Sequence, residues 1–333
     1  MIKHNISLTS AEIGGLWEAF FQETMSVCLL KYFLHHIKDE EIKVVLTKAL
    51  EFSHLNIKKI KEIYSKENIP LPDGFSEKDV DLSAPPLFNE PFALSYVYIM
   101  SRMGMINYAF ITANIARSDI LSFFTNALAQ VTELYTDSTT MMLSKGIYDR
   151  PPKISYPKKI EYIQKKTYIS GFIGQKRTLN AVELTEIFFN IERNYFSILF
   201  CLGLIQAVKD KEIKDFIKDG KKISEKQINF FNEILQKEDF LGIISISMEI
   251  TESTISPFSD KLVMSLFHFL NSIDITLIGH ALSMSMRADL STFYSKVIGE
   301  ILLYAEKGFS IMVNRGWLEQ PPQATNRKEL ENR

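Results

Sequence analysis

The sequence predicts an all-helical protein made of two tandem copies of one four-helix bundle. Three observations carry that prediction. The chain repeats itself at a near-constant offset, its apolar residues fall at helical spacing in long runs, and the links within each copy run short, long, short. Composition agrees: 46% of residues are apolar and 23% charged, with 24 Phe against 14 Gly and 11 Pro. Few breakers and many large side chains suit long helices around a substantial core. At 333 residues there is room for two domains.

The repeat is read in four blocks. LTSAEIGGLWEAFF from Leu8 aligns with LNAVELTEIFFNIE from Leu179, and DEEIK from Asp39 with DKEIK from Asp210, both 171 positions apart. After one deletion the spacing becomes 170. ARSDILSFF from Ala116 then meets MRADLSTFY from Met286, and SKGIYDRPP from Ser144 meets NRGWLEQPP from Asn314. Four blocks in one order imply duplication of a whole domain.

Each copy reads as four helices. The first opens at a capping box, Thr9 with Glu12 and Asn180 with Glu183. Its apolar stripe passes through Ile13, Leu16, Trp17 and Phe20. Asp39 suits the N-cap of the second helix, whose stripe runs through Ile42, Val45, Leu46, Ala49, Asn56 and Ile60. Residues 68–91 are rich in Pro and cannot be helical throughout. Pro91 suits the first turn of the third helix, which is expected to reach about Ala116. After a turn at Arg117 the fourth helix runs to Gly146, with Pro151 and Pro152 beyond it. Gly316, Pro321 and Pro322 repeat that ending.

Short links between helices 1 and 2, and between 3 and 4, predict antiparallel hairpins. The long link between helices 2 and 3 can cross the whole bundle, which is ferritin-like connectivity. A plain up-down bundle with a long middle loop is the alternative. The expected units are a first bundle over residues 1–152, a basic connector over 153–178, a second bundle over 179–322 and a polar tail over 323–333. The connector is expected to pack its Tyr and Ile residues on the bundles while its Lys residues face water.

A ferritin-like bundle raises the question of a di-metal site, which needs a Glu from each of two helices and a Glu-x-x-His from each of the others. Glu51 and His54 match that spacing, but His54 lies on the outer stripe. The core-facing polar positions are Glu23 and Asn194 on helix 1, Asn56 and Gln227 on helix 2, and Gln130 and Glu300 on helix 4. Glu133 could flank them. The candidate metal set is therefore Glu23, Glu51, Asn56, Glu133, Gln227 and Glu300, with iron or manganese as the metals such a site would take. One or two carboxylates cannot neutralise two dications and amides are poor ligands. The preferred reading is a hydrogen-bonded polar layer that sets bundle register, with no cofactor and no catalytic residue.

Other classes fit less well. There is no glycine-rich phosphate loop and no GxSxG elbow. A net charge of −2 gives no field for nucleic acid. Cys28 and Cys201 sit in apolar runs and read as buried reduced thiols. The N-terminus lacks the apolar stretch of a signal peptide. Residues 262–286 are long and apolar enough to span a bilayer, but Asp274 lies mid-segment, and its counterpart, residues 92–116, carries Arg102. Both read as helices buried in protein, so no transmembrane segment is expected. Being apolar nearly all round, the third helices are expected to pack the copies together or to meet a partner, with Arg102 and Asp274 as a candidate cross-domain ion pair. Arg117 and Asp119, repeated as Arg287 and Asp289, suggest an Asp at the start of helix 4 and an Arg bonding the end of helix 3.

The chain resembles an uncharacterised family of Bacillus-type spore formers, with tandem ferritin-like bundles related to spore coat protein F. The residues that carry the resemblance are LTSAEIGGLW, VCLLKYFL, ALEFS, RSDILSFF, ELY and LSKGIYDRPP in the first copy. In the second they are PFSDKL, MRADLSTFY, GEILLYAEKGFSIMV and GWLEQPPQATNRKEL. The resemblance implies the ferritin-like fold, a cytoplasmic or spore-associated setting, and no particular reaction. It also implies His at the positions of Asn56 and Gln227, where this chain departs. The expected function is a non-catalytic structural or interaction protein, with self-association or coat proteins as partners. The alternatives are a metalloprotein, an oxidase or metal store, with a degenerate di-metal site, and a binder of an apolar ligand between helices.

Overall fold

The computed structural model describes residues 6–169, 176–242 and 247–331. Eight long helices dominate: α1 (Ser10–His36), α2 (Glu40–Glu67), α3 (Glu90–Thr112), α4 (Ser118–Ser144), α5 (Ala181–Ala207), α6 (Lys211–Lys237), α7 (Asp260–Met284) and α8 (Ala288–Asn314). A short α9 (Arg327–Glu331) follows. The first four and the second four form two matching halves.

The ends of the helices are set by local chemistry. Thr9 and Asn180 form the expected capping boxes, with Glu12 and Glu183 bonding back to the cap backbone. Asp39 Oδ1 accepts from the amides of Glu41 and Ile42. Asn68 closes α2 in the left-handed region at φ 56°, and Gly146 and Gly316 follow α4 and α8 at φ 68° and 65°. The third helix ends at Thr112, four residues short of the expected Ala116. The chain turns early because Ile115 is buried and the amide of Arg117 donates to Glu12 Oε1 at 2.8 Å. Glu183 does the same for the amides of Met286 and Arg287, both at 3.0 Å. One capping carboxylate per half thus also anchors the turn between the third and fourth helices.

Links set the topology. Lys38 N donates to Glu90 at 2.6 Å and Lys145 pairs with Asp39 at 2.7 Å, so α3 begins and α4 ends beside the α1–α2 turn. Arg117 pairs with Glu67 at 2.9 Å at the opposite end. Residues 68–89 therefore travel the length of the half, and α1–α2 and α3–α4 are the antiparallel hairpins the short links predict.

The two crossover segments meet each other. Val80 bridges Phe258 and Phe88 bridges Ile250, both antiparallel. Val80 corresponds to Ile250 in the repeat, and Phe88 to Phe258, so the two bridges are related by an approximate two-fold axis. Backbone bonds reinforce them: Asp81 N to Pro257 O at 2.8 Å, Ser259 N to Asp79 O at 2.9 Å and Thr251 N to Leu87 O at 3.0 Å. A single hydrophobic cluster runs through both halves, from Leu29 and Phe92 to Phe200 and Leu262. At its centre Phe88 stacks on Phe92 at 4.0 Å, and Phe92 on Phe196 at 4.7 Å.

Three expectations change here. Helix α3 does lie at the interface, but its main neighbour across it is α5, the first helix of the second half. Arg102 pairs with Glu192 of α5 at 2.8 Å, while Asp274 pairs with Arg193 at 2.6 Å within the second half; the expected Arg102–Asp274 pair is not formed. The connector does not pack its apolar residues: Tyr156, Ile160 and Tyr162 are exposed. Among the described residues of the connector only the short 3-10 turn Lys166–Ile169 is helical, and Tyr168 within it stacks under the Arg177 guanidinium at 4.0 Å. Residues 170–175 of the connector lie outside the described residues.

By length and composition α7 is the one described helix that could cross a bilayer, and 39% of its apolar window is buried in the protein. Both cysteines are free and buried, and burial pushes each thiol up to about 12. Such thiols hold almost no thiolate at neutral pH and are poor nucleophiles.

Candidate functional site

The polar core positions fall into one layer per half. In the first, Glu23 on α1 and Asn56 on α2 face each other: Asn56 Nδ2 donates to Glu23 Oε1 at 2.8 Å. The Tyr108 hydroxyl of α3 donates to the same oxygen at 2.7 Å. Burial and the facing carboxylate push the Tyr108 phenol well up, so it stays a donor. A cavity of about 90 Å³ lies beside these groups, and Gln130 of α4 lines it. In the second half Asn194 Nδ2 donates to Gln227 Oε1 at 3.3 Å, beside a cavity of about 70 Å³. Each cavity holds a few waters at most. The place of Tyr108 is taken by Ile278, which is fully buried. Both layers thus clasp helix 1 to helix 2 at the same height, with a carboxylate in one half and amides alone in the other.

The remaining candidates are elsewhere. Glu51 and His54 lie on the exposed face of α2. Glu133 is exposed on α4 and pairs with Lys48, which also holds Asp137 at 2.7 Å. Glu300, half-buried on α8, pairs with Lys226. The structure therefore brings Glu23 to Asn56, and Gln227 to Asn194, but brings neither Glu51 nor Glu133 to Glu23. Among the described residues no three His, Cys, Asp or Glu side chains converge as a metal would need. Tyr108 carries no sequence mark of this role, because helix 3 is apolar nearly all round and a Tyr there reads as core.

A second charged constellation recurs at the end of each half. Arg117 binds Asp119 at 2.8 Å and Glu67 at 2.9 Å; Arg287 binds Asp289 at 2.8 Å and also Glu238. Glu67 and Glu238 occupy matching positions at the end of helix 2. The arginine thus locks the start of helix 4 to the end of helix 2, rather than to the end of helix 3 as expected. In the second half the clamp is buried, with Arg287 1% exposed. Burial alone would raise the Asp289 carboxyl, but hydrogen bonds from Arg287 and Lys176 hold it down at about 2.

An all-helical chain of two matching halves, sharing caps, clamps and a polar layer, defines a duplicated helical scaffold. The chain belongs to a family of proteins of unknown function, DUF3231, whose sequence model matches residues 1–160 and again 168–330. Two successive matches to one model are what a tandem duplication produces. Among solved structures the chain is similar to a "putative spore coat protein" from Bacillus halodurans. That protein is 17% identical, over 46% of this chain and 98% of the other, with a TM-score of 0.41. No curated protein matches.

Proposed function

We propose that the protein is a non-catalytic structural or interaction protein, built as an internal pseudo-dimer of ferritin-like bundles. The observation that carries this reading is how the polar layers are filled. Glu23 Oε1 accepts from Asn56 and Tyr108 and Gln227 Oε1 accepts from Asn194, while Lys48 and Lys226 hold Glu133 and Glu300; Gln227 Nε2 and Gln130 Oε1 are buried with no partner among the described residues. Buried polar groups bonded from helix to helix in this way support a role in setting helix register. Helix 2 clasped to helix 1, with residues 68–89 crossing the length of the first half, supports the ferritin-like description. Residues 1–152 and 179–322 are the proposed bundles, with 153–178 between them and 323–333 as a tail. A cytoplasmic or spore-associated setting, and coat-protein or self-association partners, are proposed on the sequence resemblance.

One observation favours a second reading, a ferritin-like metalloprotein with a degenerate site: Glu23 is a buried carboxylate beside a cavity. Elemental analysis of protein purified without chelator separates the two. The scaffold reading expects iron and manganese far below one per chain. Stoichiometric metal that is lost in Glu23→Ala or Glu300→Ala would replace it with the metalloprotein reading.

A further inference from the structure

The approximate two-fold axis gives the halves two equivalent contact faces, α3 against α5 and α1 against α7. Their contents differ. At α3–α5 the Arg102 guanidinium lies over the rings of Phe189 and Tyr98, at 4.7 and 5.4 Å, and meets Glu192 at 2.8 Å. The chain has built a cation into an aromatic and carboxylate cage.

At α1–α7 the repeat places Ser272 where Arg102 stands, His268 for Tyr98, Glu18 for Phe189 and Phe21 for Glu192. The aromatic and the carboxylate have exchanged places, and the cation is gone. A groove of about 630 Å³ opens there, of a size that holds a small molecule. Trp17 and Phe21, with ring centroids 5.4 Å apart, form one wall. Phe269 and Trp317 also line it. Among the described residues no Lys or Arg lines the groove; the Arg315 guanidinium lies over the Trp317 ring at 5.1 Å but is held by Asp210 and Glu212, and Glu319, which also lines the groove, accepts from the amides of Asp73 and Gly74. Burial pushes the His268 imidazole down, so it adds no cation at neutral pH. Glu18 accepts from Asn107 at 3.0 Å and from Gln22 at 3.4 Å, both at Oε1. Neither donor carries charge, and burial pushes the Glu18 carboxyl up.

We propose that the α1–α7 groove binds an apolar molecule carrying one cationic nitrogen, an alkyl- or arylammonium, with the cation at Glu18 and Phe21 and the apolar body against Trp17 and Trp317. The ligand supplies the charge that Arg102 supplies at the other face. A carboxylate and aromatic faces in a partly desolvated groove select a cation over a neutral or anionic molecule of equal apolar size.

The chain has two tryptophans, and both line the groove, so their fluorescence reads it directly. Octylammonium, octanol and octanoate are titrated into the full-length protein below their micelle ranges. Octylammonium is expected to bind about 10-fold tighter than octanol, with octanoate weakest. Glu18→Gln keeps the shape and is expected to remove the preference for the cation while leaving octanol unchanged. Ser272→Arg places a guanidinium within the groove, as Arg102 does at the other face, and is expected to abolish the preference for octylammonium over octanol. If circular dichroism shows that variant unfolded, Glu18→Gln alone decides. Equal binding of octanol and octylammonium, tightest binding of octanoate, or an unchanged preference in Glu18→Gln overturns the proposal. So does a dimer in light scattering whose fluorescence ignores all three probes, because the groove is then a self-association face.

Discussion

At the α3–α5 face a guanidinium lies between two rings and meets a carboxylate; at the α1–α7 face the matching position is Ser272 and a groove opens. The backbone frame around both is the same. Each half has its capping box, its turn anchored by Glu12 or Glu183 and its arginine clamp, and the crossovers meet in two-fold related bridges. The contrast separates two kinds of constraint. Positions that close helix ends and turns bond to backbone or, in the clamps, to a carboxylate of the same half, and they match between the halves. Positions that fill the contact between halves bond to side chains, and there a compensating set can replace the original.

Several variants sharpen or break this contrast. The largest effect is expected at the sealed face. Arg102→Met leaves Glu192 buried without its partner, at a cost of about 3–5 kcal/mol in urea unfolding. A loss under about 1 kcal/mol would mean that water already reaches that carboxylate. Next come the clamps. Asp289 is held near pH 2 and would titrate near 3.9 when unfolded. Its contribution, on the order of 2 kcal/mol, is complete above the unfolded value and is lost as pH falls through about 2. Asp289→Asn should therefore flatten the stability–pH curve below about pH 5. Asp119→Asn in the more exposed clamp should do so less, and equal effects would break the contrast between the halves.

A fourth variant tests one position used in two ways. Tyr32 bonds the crossover through Pro85 O and Leu87 N at 2.7 and 2.8 Å. Its counterpart Gly203 leaves room for Phe88, whose ring would lie 2.6 Å from an added Cβ. Gly203→Ala should cost about 1 kcal/mol or more by forcing that ring aside. The smallest effect is expected at Ser272→Ala, within about 0.5 kcal/mol, because the side chain borders open space. A larger loss would show that the open face is held shut in solution.

Much of the frame could be read from the chain before the structure. Thr9 with Glu12, Asn180 with Glu183, Asp39 and the two glycines after α4 and α8 act locally, and their spacing alone reveals them. Glu23 and Asn56 could be placed by helical phase, and the structure brings them together at 2.8 Å. Tyr108, the third member of that layer, could not, because an aromatic on an apolar helix carries no periodic mark. The crossover bridges were also hidden. Residues 80–88 and 250–258 are Pro-containing, non-alternating and far apart in sequence, so no pattern announces their pairing. The Arg102–Glu192 pair escaped for a different reason. A repeat is recognised by its matches, and Glu192 faces Phe21 in the alignment. The differences that distinguish the two faces are the positions that such a comparison passes over.

The hydrophobic cluster shared by both halves is expected to make them unfold together. Residues 1–152 and 179–322 produced as separate chains test it most directly, by thermal melts followed with circular dichroism beside the full-length protein. Dividing the chain exposes Phe88 and Phe92 on one side and Phe196 and Phe200 on the other. One cooperative transition is expected for the full chain and none for either half alone. A half that melts cooperatively near the full-length Tm would contradict it.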